Sequence, residues 1–101
     1  MFNNFQPISI TTKAAIEIKK IMATKGIPAE YGLRVGVRGG GCGVSLMVGF
    51  DKKKESDSQF IINDIPVYID KKHTMYLIGK QVDFVETEQG RGFSFIEQPT
   101  S

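Results

Sequence analysis

The chain has 101 residues, of which 24% are charged and 41% hydrophobic, with a formal net charge of +2. This length suits one domain with a single modest core, so we expect residues 1–101 to form one domain. Acidic and basic residues are interspersed and no aromatic-and-basic RNA-binding motif is present, which argues against nucleic acid as a partner. No apolar run approaches the roughly 20 residues of a membrane span, and residues 1–6 lack a signal-peptide pattern. The single cysteine rules out an intrachain disulfide, so nothing requires an oxidising compartment. From these features together we expect a cytoplasmic protein with no membrane partner.

The first 30 residues predict a short strand followed by one long helix. Residues 8–10 alternate as a strand, and Thr11 or Thr12 is a suitable N-cap. An apolar stripe at helical spacing follows, formed by Ala14, Ile18, Ile21 and Met22. Gly26 suits the position after a helix C-terminus, and Pro28 prevents continuation. We therefore expect this helix to cover a sheet.

Residues 31–50 are the stretch around which the chain is organised. Apolar residues alternate on either side of a glycine-rich segment, as in two half-buried strands: Leu33, Val35 and Val37, then Val44, Leu46, Val48 and Phe50. Between them, residues 39–43 read Gly-Gly-Gly-Cys-Gly and predict a hairpin connection with uncovered backbone amides. Arg34 and Arg38 share the opposite face of the first strand, where they can favour a nearby thiolate.

The second half predicts four more strands and a short helix. Residues 51–58 predict a solvated loop, because the lysines there are flanked by acids. Strands follow at 59–62 and 65–69, and Pro66 indicates an edge strand or a strand start. Asp70 is expected to cap a short helix that runs to Ile78 and buries Met75, Leu77 and Ile78. Strands at 81–86 and 92–96 complete the sheet.

These elements predict a β-rich α+β fold, either a sandwich or a distorted barrel. It would contain about seven short strands, one long cover helix and one short helix. The expected core beneath the long helix comprises Leu33, Val35, Val37, Leu46, Val48, Val67, Phe84, Phe93 and Phe95.

Cys42 is the candidate functional residue. A lone cysteine is more often a small buried hydrophobe than a site. Its glycine-rich surroundings and the nearby arginines nevertheless favour a reactive or metal-ligating thiol. One cysteine and one histidine are too few for a zinc site, which takes about four ligands. A Cys42–His73 nucleophile pair is a further option, but His73 stands in a polar run and is expected to face solvent.

Several segments resemble, in order and spacing, the A-type iron–sulfur carriers of the HesB/IscA/SufA group. They are the helix opening at 10–15, residues 32–38 leading into Gly41 and Cys42, 65–70, 77–79 followed by 82–84, and 92–95. The resemblance implies a HesB-like fold, self-association and a role in iron–sulfur cluster assembly or delivery. It also implies that Cys42 is a metal ligand, that Gly41 and Gly43 contact the cofactor, and that no residue is catalytic. The implied partners are other copies of the chain, iron–sulfur assembly proteins and apoprotein clients.

The sequence departs from this family in its cysteines. Family members usually carry a loop cysteine and a C-terminal Cys-x-Cys pair, whereas Cys42 is the only cysteine here. Gly43 and Val44 also stand where serine and glycine are common. Iron–sulfur clusters normally take about four thiolates, and two copies of the chain would supply two. Glutathione, a partner protein, or oxygen ligands such as Glu97 or Asp83 would complete the set.

Three functional hypotheses remain from the sequence. The first is a carrier that binds iron or a cluster weakly through Cys42 at a subunit interface. The second is a metal-free interaction protein that keeps the carrier fold and its partner surface. The third is a single-cysteine redox or acyl-transfer enzyme, for which the sequence offers no base or oxyanion partner.

Overall fold

The computed structural model describes residues 6–40 and 43–97, and the side chains of residues 40–46 lie outside that description. The described residues form seven strands and two α-helices. The strands are β1 (Ile8–Ile10), β2 (Tyr31–Gly40), β3 (Gly43–Lys52), β4 (Asp57–Ile62), β5 (Ile65–Asp70), β6 (Lys80–Thr87) and β7 (Gly90–Glu97). The helices are α1 (Thr12–Thr24) and α2 (Thr74–Leu77), and a 3₁₀ turn over Lys71–His73 precedes α2.

The strands form two mixed sheets. The first has the order β1-β6-β7, with β1 parallel to β6 and β6 antiparallel to β7. The second has the order β3-β2-β5-β4, in which only β2 and β5 run parallel. The predicted β-rich α+β class is confirmed. Over the described residues the two sheets do not close into a barrel, so the sandwich alternative is the better description.

Helix α1 begins and ends as its sequence predicts. The Thr11 side chain accepts a hydrogen bond from the Ala14 backbone N–H at 3.1 Å and donates one to Asp83 Oδ1 at 2.8 Å. This hydroxyl therefore caps the helix and ties it to β6. At the other end Gly26 has a φ of +64°, a conformation that glycine adopts without strain. Ala14 and Ile18 are fully buried against the sheets, as a cover helix requires.

The core agrees with the prediction at most described positions. Four of the expected residues are buried: Leu33, Val35, Val67 and Phe84. Four others are partly buried against the same cluster: Val37, Val48, Phe93 and Phe95. The side chain of Leu46 lies outside the described residues. The same cluster includes Ile8 and Ile18, so it joins both sheets to α1.

Two residues of the α2 segment that were predicted to be buried are exposed. Leu77 is fully buried, but Met75 is 84% exposed and Ile78 is 52% exposed. Helix α2 is four residues long, which is about one turn. A single turn directs neighbouring side chains in different directions, so only Leu77 reaches the core.

Strand β5 is an interior strand, so of the two alternatives predicted from Pro66, an edge strand or a strand start, the structure shows the strand start. Pro66 pairs with Ile61 of β4, while the ladder to β2 begins one residue later, at the pair Leu33–Val67. The missing N–H of proline therefore leaves no gap in the ladder to β2. Its position near the start of the strand is as expected.

Leu33 provides a test of the core. Replacing fully buried Leu33 with alanine is expected to lower the free energy of unfolding by about 2–5 kcal/mol, through lost transfer energy and the cavity left behind. Ile16, which is 56% exposed, is the matched control and should lose less than about 1 kcal/mol on the same change. Urea melts of both variants measure the difference. Equal losses would contradict the assignment of Leu33 to the core.

Candidate functional site

The β2–β3 hairpin carries the glycine-rich segment. Its strands pair antiparallel from Tyr31–Lys52 to Gly40–Gly43. Gly41 and Cys42, two of the predicted site residues, lie outside the described residues, while Gly43 is the first residue of β3. Gly39 and Gly40 belong to β2, so the strands include three of the five residues, 39–43, that were predicted to connect them.

Most of this hairpin extends beyond the rest of its sheet. Strand β2 pairs with β5 only at Leu33 and Arg34, so residues 35–40 have a β-ladder on the β3 side alone among the described strands. We call residues 35–40 and 43–48 the hairpin arm. From Arg34, the last residue paired with β5, to Gly40 the strand extends about 20 Å at the usual strand rise. Its end therefore lies away from the β2–β5 ladder.

His73 packs against the base of the arm, whereas its sequence context predicts a solvent-facing residue. Its Nδ1 atom accepts a hydrogen bond from the Val37 backbone N–H at 3.4 Å. A Cβ atom added at Gly36 would lie 3.1 Å from the same nitrogen. The 3₁₀ turn after β5 thus places the His73 imidazole against β2, next to residues that lie beyond the last β2–β5 pair. Gly36 lies about 13 Å from Gly40 along the strand, so the described residues give no support to a Cys42–His73 pair.

This contact makes Gly36 sensitive to substitution. Gly36→Ala is expected to destabilise the fold by about 1–2 kcal/mol, because overpacking at the imidazole outweighs the gain from a stiffer unfolded chain. In a His73→Ala background the same change should be neutral or stabilising. Denaturant melts of the two single variants and the double variant measure this coupling. An unchanged penalty in the double variant would show that His73 is not the cause.

Arg34 is held in an ion-pair network rather than left free for a thiolate. Its Nη1 and Nη2 atoms donate to the two carboxylate oxygens of Asp57 at 2.8 and 2.6 Å, and Nε donates to Asp51 at 3.1 Å. The Asp57 side chain is fully buried and also accepts from the Lys54 backbone N–H at 2.7 Å. The hydrogen bonds from Arg34 hold the pKa of Asp57 below its usual value. This network secures the loop between β3 and β4.

Arg38 is the arginine that remains available on the hairpin arm. It is exposed, and no hydrogen bond or ion pair joins it to another described residue. It lines a shallow cleft of about 580 Å³ on the outer face of the hairpin, together with Arg34, Met47, Gly49 and Asp51. Of the two arginines predicted to favour a thiolate, only Arg38 has an uncompensated charge, two residues before Gly40.

The two carboxylates considered as extra ligands are engaged elsewhere. Asp83 accepts hydrogen bonds from the Thr11 hydroxyl and from the Phe84 backbone N–H, both at 2.8 Å. Glu97 forms an ion pair with Lys80. Both lie on the three-stranded sheet, while the hairpin belongs to the other one. The described residues contain no group of three His, Cys, Asp or Glu side chains arranged to hold a metal ion.

Two structural roles had little or no signal in the sequence. Residues 51–58 were predicted to form a solvated loop, yet Asp51 lies in β3, Asp57 begins β4, and both bind Arg34. The one indication of the ion-pair network was that Arg34 lies on the polar face of a strand. Most arginines at such positions face solvent. The requirement for glycine at position 36 had no signal, since it depends on a histidine 37 residues later.

Comparisons with known proteins agree with this fold. The sequence model of a family described as iron-sulphur cluster biosynthesis matches residues 6–99. SufA of Bacillus subtilis (strain 168) is 39% identical over 97 residues, covering 94% of this chain and 79% of that protein. The mitochondrial iron-sulfur cluster assembly 1 homolog of Danio rerio is 34% identical over 90 residues, covering 87% of this chain and 68% of that protein. The crystal structure of Escherichia coli SufA, involved in biosynthesis of iron-sulfur clusters, matches with a TM-score of 0.76 at 24% identity, covering 94% of this chain and 85% of that one.

None of the helices in the described part of the chain has the length and apolar character that a membrane span requires.

Proposed function

The chain belongs to the iron–sulphur cluster biosynthesis family, and on this basis we propose that it carries iron or an iron–sulfur cluster through Cys42. The observation that supports this most is the geometry of the hairpin arm. Antiparallel pairing continues to Gly40–Gly43, so Gly41 and Cys42 alone connect the two strands. In the proposal, the thiolate of Cys42 ligates iron, and Gly41 and Gly43 leave room for the cargo because they carry no side chain.

The ligand count makes the proposed site intermolecular. A cluster normally takes about four thiolates, and each chain offers one. Two copies would therefore bring their Cys42 residues together at a subunit interface, and a small thiol such as glutathione or a partner protein would supply the remainder. Asp83 is a poor substitute because its carboxylate already accepts the hydrogen bond of the Thr11 hydroxyl. We expect weak, transient binding, as suits delivery to apoprotein clients.

The remaining parts of the proposal follow from this role. The chain acts as a single domain in the cytoplasm, exchanges cargo with iron–sulfur assembly proteins, and is not an enzyme. Arg38, with its uncompensated charge on the arm, favours the thiolate form of a nearby cysteine.

A second candidate is a metal-free interaction protein with the same fold. It is favoured by the absence of any other metal-binding group among the described residues. Such a protein would retain the partner surface of the family without holding cargo.

Anaerobic reconstitution with ferrous iron and sulfide, followed by visible absorption, separates the two candidates. The carrier should develop the charge-transfer bands of an iron–sulfur chromophore when a small thiol is present. A folded protein that stays colourless over a range of protein and thiol concentrations would contradict the carrier and favour the interaction protein.

A further inference from the structure

A second cleft lies between helix α1 and the β6–β7 hairpin, on the sheet that does not include β2 and β3. The helix contributes residues that recur on one face at i, i+3, i+4, i+7 and i+8: Glu17, Lys20, Ile21, Thr24 and Lys25. The hairpin contributes Phe84, Arg91, Gly92 and Phe93. The cleft has a volume of about 430 Å³, which falls in the usual range for ligand-binding clefts.

The floor of this cleft is apolar and partly accessible. The rings of Phe84 and Phe93 meet edge to face, with centroids 5.1 Å apart. Phe93 and Ile21 are only half-buried, so both retain apolar surface that an incoming side chain can cover. Burying that surface would stabilise a complex by the hydrophobic effect.

The rim of the cleft is mainly cationic. Arg91 lies over the Phe84 ring, 5.2 Å from its centroid, and its Nη2 atom pairs with Glu17 Oε1 at 3.1 Å. Lys20 pairs with the same glutamate at 3.3 Å. Lys25 has no hydrogen bond from its side chain and no ion pair with any other described residue. The Nε atom of Arg91 also pairs with Glu86 Oε2 at 2.9 Å, so Arg91 and Lys20 are balanced by carboxylates and Lys25 supplies the uncompensated positive charge of the rim.

We propose that this cleft docks a segment of a partner protein in which a large apolar side chain is flanked by carboxylates. The apolar side chain would cover Ile21 and Phe93, and the carboxylates would meet Lys20, Lys25 and Arg91. A buried apolar anchor supplies most of the affinity in such interfaces, and charge complementarity selects the partner. The inference rests on the proposed function, since a carrier must contact a donor and a client.

The topology keeps this docking surface separate from the cargo site. Helix α1 packs on β6, in the β1-β6-β7 sheet, while the hairpin arm belongs to the four-stranded sheet. A partner bound at the cleft therefore leaves the arm's β-ladder intact.

The test uses the full-length chain labelled with nitrogen-15 and a blocked seven-residue peptide. The peptide has one phenylalanine with an Asp-Glu pair on each side and a glycine at either end. Titration should shift the amide signals of Ile21, Thr24 and Phe93. Replacing the peptide's phenylalanine with alanine should weaken binding about tenfold or more, because the anchor is lost. Replacing its acids with lysines should abolish binding.

Two pairs of variants locate the site. Thr24→Trp fills the cleft and should abolish peptide binding, whereas Ala23→Trp places the same ring on an exposed position outside the cleft and should leave binding unchanged. Lys25→Glu should weaken binding about tenfold, while Lys53→Glu, with the same change in net charge, should have little effect. Amide spectra of the free variants report whether each remains folded.

Equal binding of the acidic and basic peptides, or unchanged binding by folded Thr24→Trp, would overturn the docking site. Shifts of the same amides with protein concentration alone would assign the cleft to a second copy of this chain and would also overturn it. Cluster reconstitution of Thr24→Trp keeps the two proposals distinguishable. If Thr24→Trp forms a cluster but binds no peptide, both the carrier function and the docking site are supported. If the wild-type chain forms a cluster but binds no peptide, the docking site alone is refuted.

Discussion

Replacing Asp57 with alanine is expected to lower the free energy of unfolding by about 2–4 kcal/mol at neutral pH. The Asp57 side chain is fully buried, and the side chain of its partner Arg34 is 20% exposed. In the variant the mostly buried guanidinium of Arg34 therefore loses one of its two carboxylate partners. Arg34 keeps its contact with Asp51 at 3.1 Å, which limits the loss. The Lys54 backbone N–H, which donates to Asp57, also loses its partner, so the β3–β4 loop should loosen.

The stability that Asp57 provides should depend on pH. Hydrogen bonds from Arg34 lower the pKa of Asp57 in the folded state, so this stabilisation is present above the ordinary aspartate pKa of about 3.9. It is lost as the pH falls from that value through the lower folded pKa. The difference in unfolding free energy between wild type and Asp57→Ala should therefore shrink below about pH 4.

Urea melts between pH 2 and 7 measure this dependence. Glu55→Ala removes an exposed carboxylate from the same loop and should cost less than about 0.5 kcal/mol at every pH. The pKa values of Asp51 and Asp70 are also lowered, chiefly by backbone N–H groups of Lys52 and Lys72. Both aspartates remain in the variant, so the contribution of Asp70 cancels in the difference from wild type, and that of Asp51 changes only through its shared partner Arg34. A pH-independent difference would contradict the ion-pair explanation.

The sequence was informative where one residue type determines one local structure. Alternating apolar residues predicted β2 and β3, because a strand that buries one face needs period two. Thr11 and Gly26 predicted the ends of α1, since each satisfies backbone geometry within one turn. These features are local, so they can be recognised without knowledge of the fold.

The sequence was uninformative where a residue's role depends on a distant partner. Arg34 binds Asp57, 23 residues later, and His73 rests on Gly36 because β5 ends where it does. The exposure of Met75 and Ile78 follows from the shortness of α2, which apolar composition alone did not indicate. The sequence left open whether Pro66 marks an edge strand or a strand start, because it does not reveal the register at which β2 joins β5. The proposed site was predicted from Cys42 and the resemblance; Cys42 lies outside the described residues, which add the hairpin arm on either side of it in the sequence.

The second large effect is expected at Cys42 and follows from the ligand count. If this thiol is the only iron ligand that the chain supplies, cluster yield should rise with protein concentration, because two chains must meet. It should also rise with added glutathione, which supplies further thiolates. A hydroxyl is a poor replacement for thiolate on iron, so Cys42→Ser should remove the chromophore without affecting the fold.

Anaerobic reconstitution of the wild type and of the Cys42→Ser and His73→Ala variants, at equal concentration and with glutathione present, tests the central claim most directly. Visible absorption and bound iron per chain are the readouts, and circular dichroism confirms that each variant is folded. The proposal predicts that wild type and His73→Ala form the chromophore to the same extent and that Cys42→Ser forms none. A cluster that persists in Cys42→Ser would show that the cargo is held elsewhere.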